Sequence, residues 1–209
     1  MKRYDLITEA DARALDVDES VMLAPGGHIT PLALDTLRAR RVTVVRDVID
    51  GELAALLPPA EIRRVAIGSD HSGVALKAAL RDDLRGRGLS VEDVGTHGSD
   101  PVDYPDIAAL VGRLVARREV DAGIVIDGAG LGSTIAANKI DGIRAAMCTD
   151  QTLARYAREH NGANVLALGA SLMPVETARA VVQTFLSTPM REPRYIRRLA
   201  KVRNLERTR

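Results

Sequence analysis

The stretch "GIVIDGAGLGSTIAANK", Gly123 to Lys139, carries the reading of the fold. Gly123–Asp127 is an apolar run closed by an aspartate, the pattern of a strand buried on both faces. Gly128, Gly130 and Gly132 follow, and "STIAANK" continues as a helix. A glycine-rich turn between strand and helix lets a ligand approach the backbone and presents free amides suited to a phosphate or an oxyanion. Asp127 stands at the head of that turn and brings a negative charge to a place built for anions.

The same grammar extends in both directions. "RVAIG" (64–68), "VEDVG" (91–95), "GIRAAMC" (142–148) and "NVLALG" (164–169) read as further strands. Between them "GVALKAALRDDLRGRG" (73–88), "YPDIAALVGRLVARRE" (104–119) and "QTLARYAREH" have apolar residues at helical spacing. A proline lies in the first turn of the second helix, and Thr149 or Asp150 can cap the third. "PVETARAVVQTFLS" adds another helix. Such alternation predicts an α/β fold, a parallel sheet with both faces covered. Ligands then bind beyond the carboxyl ends of the strands, which selects "SDHSG", "DGAGLG" and the loops after Cys148 and Gly169.

Residues 1–60 stand outside this alternation. Thr8 with Asp11 reads as a capping box, Thr30 before Pro31 as a helix start, and "VTVV" (42–45) as a short strand. "GELAALLPPAEIRR" (51–64) reads as a linker broken by Pro58–Pro59. The expected division is a small α/β appendage with its linker over 1–60 and a main domain over 61–209. Aromatic residues are 2% of the chain and tryptophan is absent, so the core must be aliphatic. A net charge of +1 gives no reason to expect nucleic acid or a membrane surface as partner. The single cysteine, Cys148, excludes an intrachain disulfide framework and suits a reducing cytoplasm. With no secretory signal and no apolar run near 18 residues, a soluble intracellular chain is expected.

Four constellations carry possible chemistry, each with a structural alternative. Asp70 and His71, between a strand end and a helix, could hold a sugar hydroxyl and a phosphate, or Ser69 or Asp70 could simply cap the helix. The "DGAGLGS" turn (127–133) could bring its backbone close to a ligand or be only a tight structural turn; it lacks G-x-G-x-x-G spacing and follows the third strand, which argues against a nicotinamide cofactor. His160 and Asn161 at a helix end could move a proton or only close the helix. Arg194 and Arg198, four apart, could clamp a phosphate or form a solvated basic face. No metal-ligand spacing involves Cys148, so neither a metal nor a cofactor is expected.

"IGSDHSG", "VDYPD", "GIVIDGAGLGSTIAANK", "GIRAA", "AREHNGANVLALGA" and "RYIRR", in this order from about Val65 to Val202, resemble the ribose-5-phosphate isomerase B family. That family includes the LacA and LacB subunits of galactose-6-phosphate isomerase. The resemblance implies a doubly wound, Rossmann-like five-stranded sheet, and a homodimer or dimer of dimers with active sites shared between chains. It also implies aldose–ketose isomerisation of a sugar phosphate through an enediol. Asp70, His71 and Tyr104 would contact the substrate, His160 would assist ring opening, and Asn161 would meet the sugar. Arg194 and Arg198 would hold the phosphate. The turn from Gly128 through Gly130 and Gly132 to Ser133 would bind substrate and stabilise the enediolate oxygen.

The chain departs from the family where the base belongs. Asp127 and Ala129 replace a cysteine and a threonine common there, and Ser133 replaces the glutamate base that other members use. Ser171 and Tyr195 stand where an arginine and a histidine are usual. Asp127 is therefore expected to serve as the replacement base, provided desolvation by bound substrate raises its pKa toward neutrality against the pull of the turn amides. The alternative is a non-catalytic sugar-phosphate-binding or partner subunit. "ITPLALDTLRARRV" also looks like N-terminal segments of some bacterial microcompartment-associated enzymes, which would make residues 1–60 an assembly or targeting element.

Overall fold

The computed structural model of the chain describes residues 1–46 and 55–206. Residues 51–54 of the expected linker lie outside these. The chain forms two compact units, Met1–Leu56 with Arg191–Lys201, and Leu57–Met190 with Val202–Arg209.

The larger unit holds β4 (Arg64–Ser69), β5 (Ser90–Asp93), β6 (Ala122–Asp127), β7 (Ala145–Met147) and β8 (Val165–Gly169). Its helices are α3 (Val74–Gly86), α4 (Tyr104–Ala116), α5 (Leu131–Ala137), α6 (Gln151–Glu159) and α7 (Val175–Ser187). The strands form one sheet in the order β5–β4–β6–β8–β7, and every pairing is parallel. Alternate residues of the central strands face opposite helix layers. Ile67, Ile124 and Leu166 pack with Leu80 of α3 and Phe185 of α7, while Ala66, Val125 and Ala167 pack with Val111 of α4. Both faces are apolar, which is why these strands read as unbroken hydrophobic runs. The connection after β4 leads outward to β5, and the chain then returns to β6 on the other side of β4. This topological switch opens a crevice at the carboxyl ends of β4 and β6, where Ser69 and Asp127 stand.

The smaller unit holds β1 (Arg3–Ile7), β2 (Ser20–Ile29) and β3 (Thr43–Arg46), a parallel sheet in sequence order, with α1 (Glu9–Arg13) and α2 (Pro31–Ala39). Thr8 and Asp11 form the capping box, and Thr30 caps α2 ahead of Pro31. Ile7, Leu15, Val21, Leu23 and Leu37 make its core. The first part of the final helix, α8 (Pro193–Glu206), belongs to this unit, where Arg197 pairs with Asp5 of β1.

Candidate active site

Asp127 ends β6 and is 5% exposed. The chain turns back over its carboxylate: Oδ1 accepts from the Ala129 amide at 2.9 Å and from the Gly130 amide, and Oδ2 accepts from the Ser133 amide at 2.8 Å. Three backbone amides thus occupy three of the four lone-pair positions of the carboxylate. Burial, the largest influence, pushes this carboxyl's pKa up, but the bonds from Ser133, Gly130 and Ala129 outweigh it and hold the pKa below the ordinary aspartate value. In the free protein the turn amides prevail over desolvation, the opposition that bound substrate would have to overcome. Amides expected to face an enediolate are partly engaged by Asp127 instead.

The turn can close this tightly because of its glycines. Gly130 has φ +76, and a Cβ there would meet the Leu168 carbonyl carbon at 2.9 Å and the Gly169 nitrogen at 3.1 Å, the end of β8. A Cβ on Gly132 would meet the Tyr104 ring at 2.5 Å, so Tyr104, at the start of α4, lies directly on the turn. Gly128 faces the serines of two neighbouring loops, with Ser72 Oγ 3.7 Å and Ser171 Oγ 4.0 Å from its ideal Cβ.

Asp70 and His71 join the same crevice from the end of β4. Asp70 is buried, its amide donates to the Ile126 carbonyl of β6, and its Oδ1 accepts the Ser72 amide at 2.9 Å and hydroxyl at 2.5 Å. Capping thus describes Asp70 in the free protein. His71 is exposed, and its Nδ1 accepts from the Val102 amide at 3.4 Å. Asp70, His71, Tyr104, Gly128, Gly130, Gly132 and Ser133 therefore gather at one end of the sheet. Ser72 joins them unforeseen; its place in "SDHSG" was the available signal.

His160 and Asn161 do not. They follow α6 and precede β8, whose first residue, Val165, is paired with Gly123 at the start of β6. Asp127 pairs with Gly169 at the far end. Within one chain the two groups are separated by at least the length of the strand, about 13 Å at 3.3 Å per residue. The His160 ring stacks on Tyr156 with centroids 4.5 Å apart. Arg194 and Arg198 lie in the smaller unit, where their guanidinium carbons sit 4.7 and 5.7 Å from the Tyr195 ring centroid. Cys148 is buried, and burial first, then the charge of Asp150, push its thiol up to about 12, so it is a poor base.

A doubly wound parallel sheet with a carboxylate, a histidine and a glycine turn at its switch point defines the class: an α/β protein with a small-molecule site at the carboxyl ends of its strands. Comparison with known proteins narrows it. Residues 65–202 match the family model described as Ribose/Galactose Isomerase. Ribose-5-phosphate isomerase B of Escherichia coli is 39% identical over 148 residues, covering 71% of this chain and 99% of that protein. D-erythrulose-4-phosphate isomerase 2 of Mycolicibacterium smegmatis is 42% identical over 126 residues, 59% of this chain and 83% of that one. The ribose-5-phosphate isomerase B structure from Clostridium thermocellum superposes with a TM-score of 0.68 at 46% identity, covering 69% of this chain and 98% of that chain. This chain belongs to the ribose/galactose isomerase family.

Proposed function

We propose that the protein is an aldose–ketose isomerase of a small sugar phosphate, ribose 5-phosphate or a related tetrose, pentose or hexose phosphate, and works through an enediol. The observation that carries this reading is the convergence of Asp127, Tyr104 and the Asp70–His71 turn at the switch point of a chain in this family. Asp127 takes the proton from the carbon beside the substrate carbonyl and returns it to the neighbouring carbon. Substrate that excludes the remaining water raises its basicity from the low value of the free state. Donors left in the glycine turn face the enediolate oxygen. Asp70, His71 and Tyr104 hold the sugar; Arg194 and Arg198 hold the phosphate.

His160, which assists ring opening, and Asn161, which meets the sugar, come from a second copy. Their position at the opposite sheet end supports this, because one chain keeps them a strand length from Asp127. The working protein is then a homodimer, or a dimer of dimers, located in the cytoplasm. Residues 61–209 are the isomerase domain; residues 1–60 are an assembly element, for which the local likeness to microcompartment-associated enzymes is the support. Among the described residues no helix is long and apolar enough to cross a membrane.

The Asp127 carboxylate, held by three amides and lowered in pKa, favours one competing reading, a sugar-phosphate-binding or partner subunit without turnover of its own. Turnover and binding measured side by side on ribose 5-phosphate, erythrose 4-phosphate, erythrulose 4-phosphate and galactose 6-phosphate separate the two. Conversion of at least one establishes the isomerase, and binding of one without conversion of any establishes the subunit.

A further inference from the structure

The turn that carries His160 and Asn161 rests on two arginines, Arg158 buried and Arg144 half-buried. Arg158, in the last turn of α6, is 1% exposed. Its Nη1 donates to the Ala163 carbonyl at 2.9 Å, its Nε to Thr188 at 3.2 Å, and its Nη2 to Pro59 at 3.2 Å. Arg144, just before β7, donates from Nε to the Gly162 carbonyl at 2.8 Å and from Nη1 to Gly142 at 3.3 Å. Two guanidinium groups thus hold the consecutive carbonyls of Gly162 and Ala163, the two residues after Asn161.

Closing the helix does not require them. The amide of Gly162 already donates to Arg158 O at 3.0 Å and that of Ala163 to Ala157 O at 2.8 Å, with Gly162 left-handed at φ +59. Asn161 Nδ2 donates to Tyr156 O at 2.9 Å, and the His160 amide to the same carbonyl at 3.0 Å. The arrangement is also costly. Burial pulls both guanidinium pKa values down to about 10, and the charge of Arg144 lowers that of Arg158 further. The residues on top of this base reach the surface: His160 has 30% of its side chain exposed, and Asn161 is exposed. A rigid, cationic underside beneath two accessible polar side chains is the arrangement of a held catalytic group.

We propose that Arg158, with Arg144 beside it, is a positioning residue that fixes His160 and Asn161 for delivery to the active site. The inference rests on the reading of His160 as an active-site group. Arg158 touches no substrate and acts only through the turn. Loss of its grip lets the imidazole wander, and misplacement by about 1 Å at a reacting group can cost up to about a hundredfold in rate.

The test is a double-mutant cycle of Arg158→Met and His160→Asn, with kcat measured on ribose 5-phosphate, which closes a ring, and on erythrose 4-phosphate, whose O4 is blocked. Circular dichroism and thermal melting establish that each variant is folded. Where Met at 158 does not fold, Arg158→Lys, which keeps the charge but reaches fewer carbonyls, takes its place. The expected result is a loss of about tenfold to a hundredfold on the ring-forming substrate for either single variant. No further loss follows in the double variant, and the loss on the open-chain substrate is small. Equal losses from the arginine variant with and without His160, or on both substrates, would show a general structural role and overturn the proposal. Full activity of His160→Asn would overturn it differently, by removing His160 from the reaction.

Discussion

Asp127 faces the same turn amides that a substrate oxyanion would seek, and it already holds three of them. Its low pKa fixes the direction of two pH effects. A carboxyl whose folded pKa is depressed stabilises the fold above its unfolded value and loses that contribution as pH falls through the folded one. Asp127→Asn should therefore lower the melting temperature at pH 7, and the gap to wild type should close below about pH 4. With the substrate's own ionisation accounted for, kcat/KM should show no acid limb from this group above about pH 5. A limb near neutrality that vanishes in the Asn variant would instead show a raised pKa in the free enzyme. Cys148, buried and poorly ionised, should be replaceable by serine with kcat within about twofold of wild type; a larger fall in the folded variant would move the base assignment there. The place of Asp127 was legible in the sequence because a strand, an acid and three glycines are local features. Its engagement by the turn was not, because the amide of a serine six residues on must fold back onto it.

At the scale of elements, local chemistry predicted well where it was strong. The capping box at Thr8, the Thr30–Pro31 start and the Asp150 cap all form. Of the expected strands, "GIRAAMC" shortens to Ala145–Met147, an edge strand paired only with β8. Strands β1 and β2 were not legible. In Arg3–Ile7 only Ile7 is buried, so the run shows no apolar alternation. In Ser20–Ile29 the segment Pro25–Gly27 interrupts the pattern where the register to β1 shifts between Tyr4 and Leu6. The contact of α4 with the glycine turn was equally silent in the sequence, and it makes a prediction. Gly132→Ala places a methyl within the Tyr104 ring and should reduce kcat/KM at least about tenfold by displacing ring or turn, while Tyr104→Ala in the same chain restores the melting temperature. A Gly132→Ala protein with wild-type kinetics would show that this contact does not shape the site.

The whole molecule raises two questions that one chain leaves open. The first is the role of the smaller unit. It includes Arg191–Lys201 and hence both proposed phosphate-binding arginines, with Arg197 tied to Asp5. Removal of residues 1–56 should therefore raise KM for phosphorylated substrate about tenfold or more, the loss expected when charge-assisted bonds are misplaced, with a smaller effect on kcat. Unchanged KM would separate the appendage from the site. The second question is whether a site needs two chains. Co-expressed Asp127→Asn and His160→Asn chains, each nearly inactive alone, should give about a quarter of wild-type activity, since half the dimers are mixed and each has one intact site. Activity no higher than either parent would place the whole site in one chain.

Whether Asp127 moves a carbon-bound proton in a sugar phosphate is decided by proton NMR of the substrate panel in D2O with wild type and Asp127→Asn. Wild type should interconvert an aldose and a ketose phosphate and place solvent deuterium on the carbon that receives the proton. The variant should do so at least about a hundredfold more slowly while still binding the substrate. Interconversion at an undiminished rate in the variant, or binding without any exchange in wild type, would contradict the account.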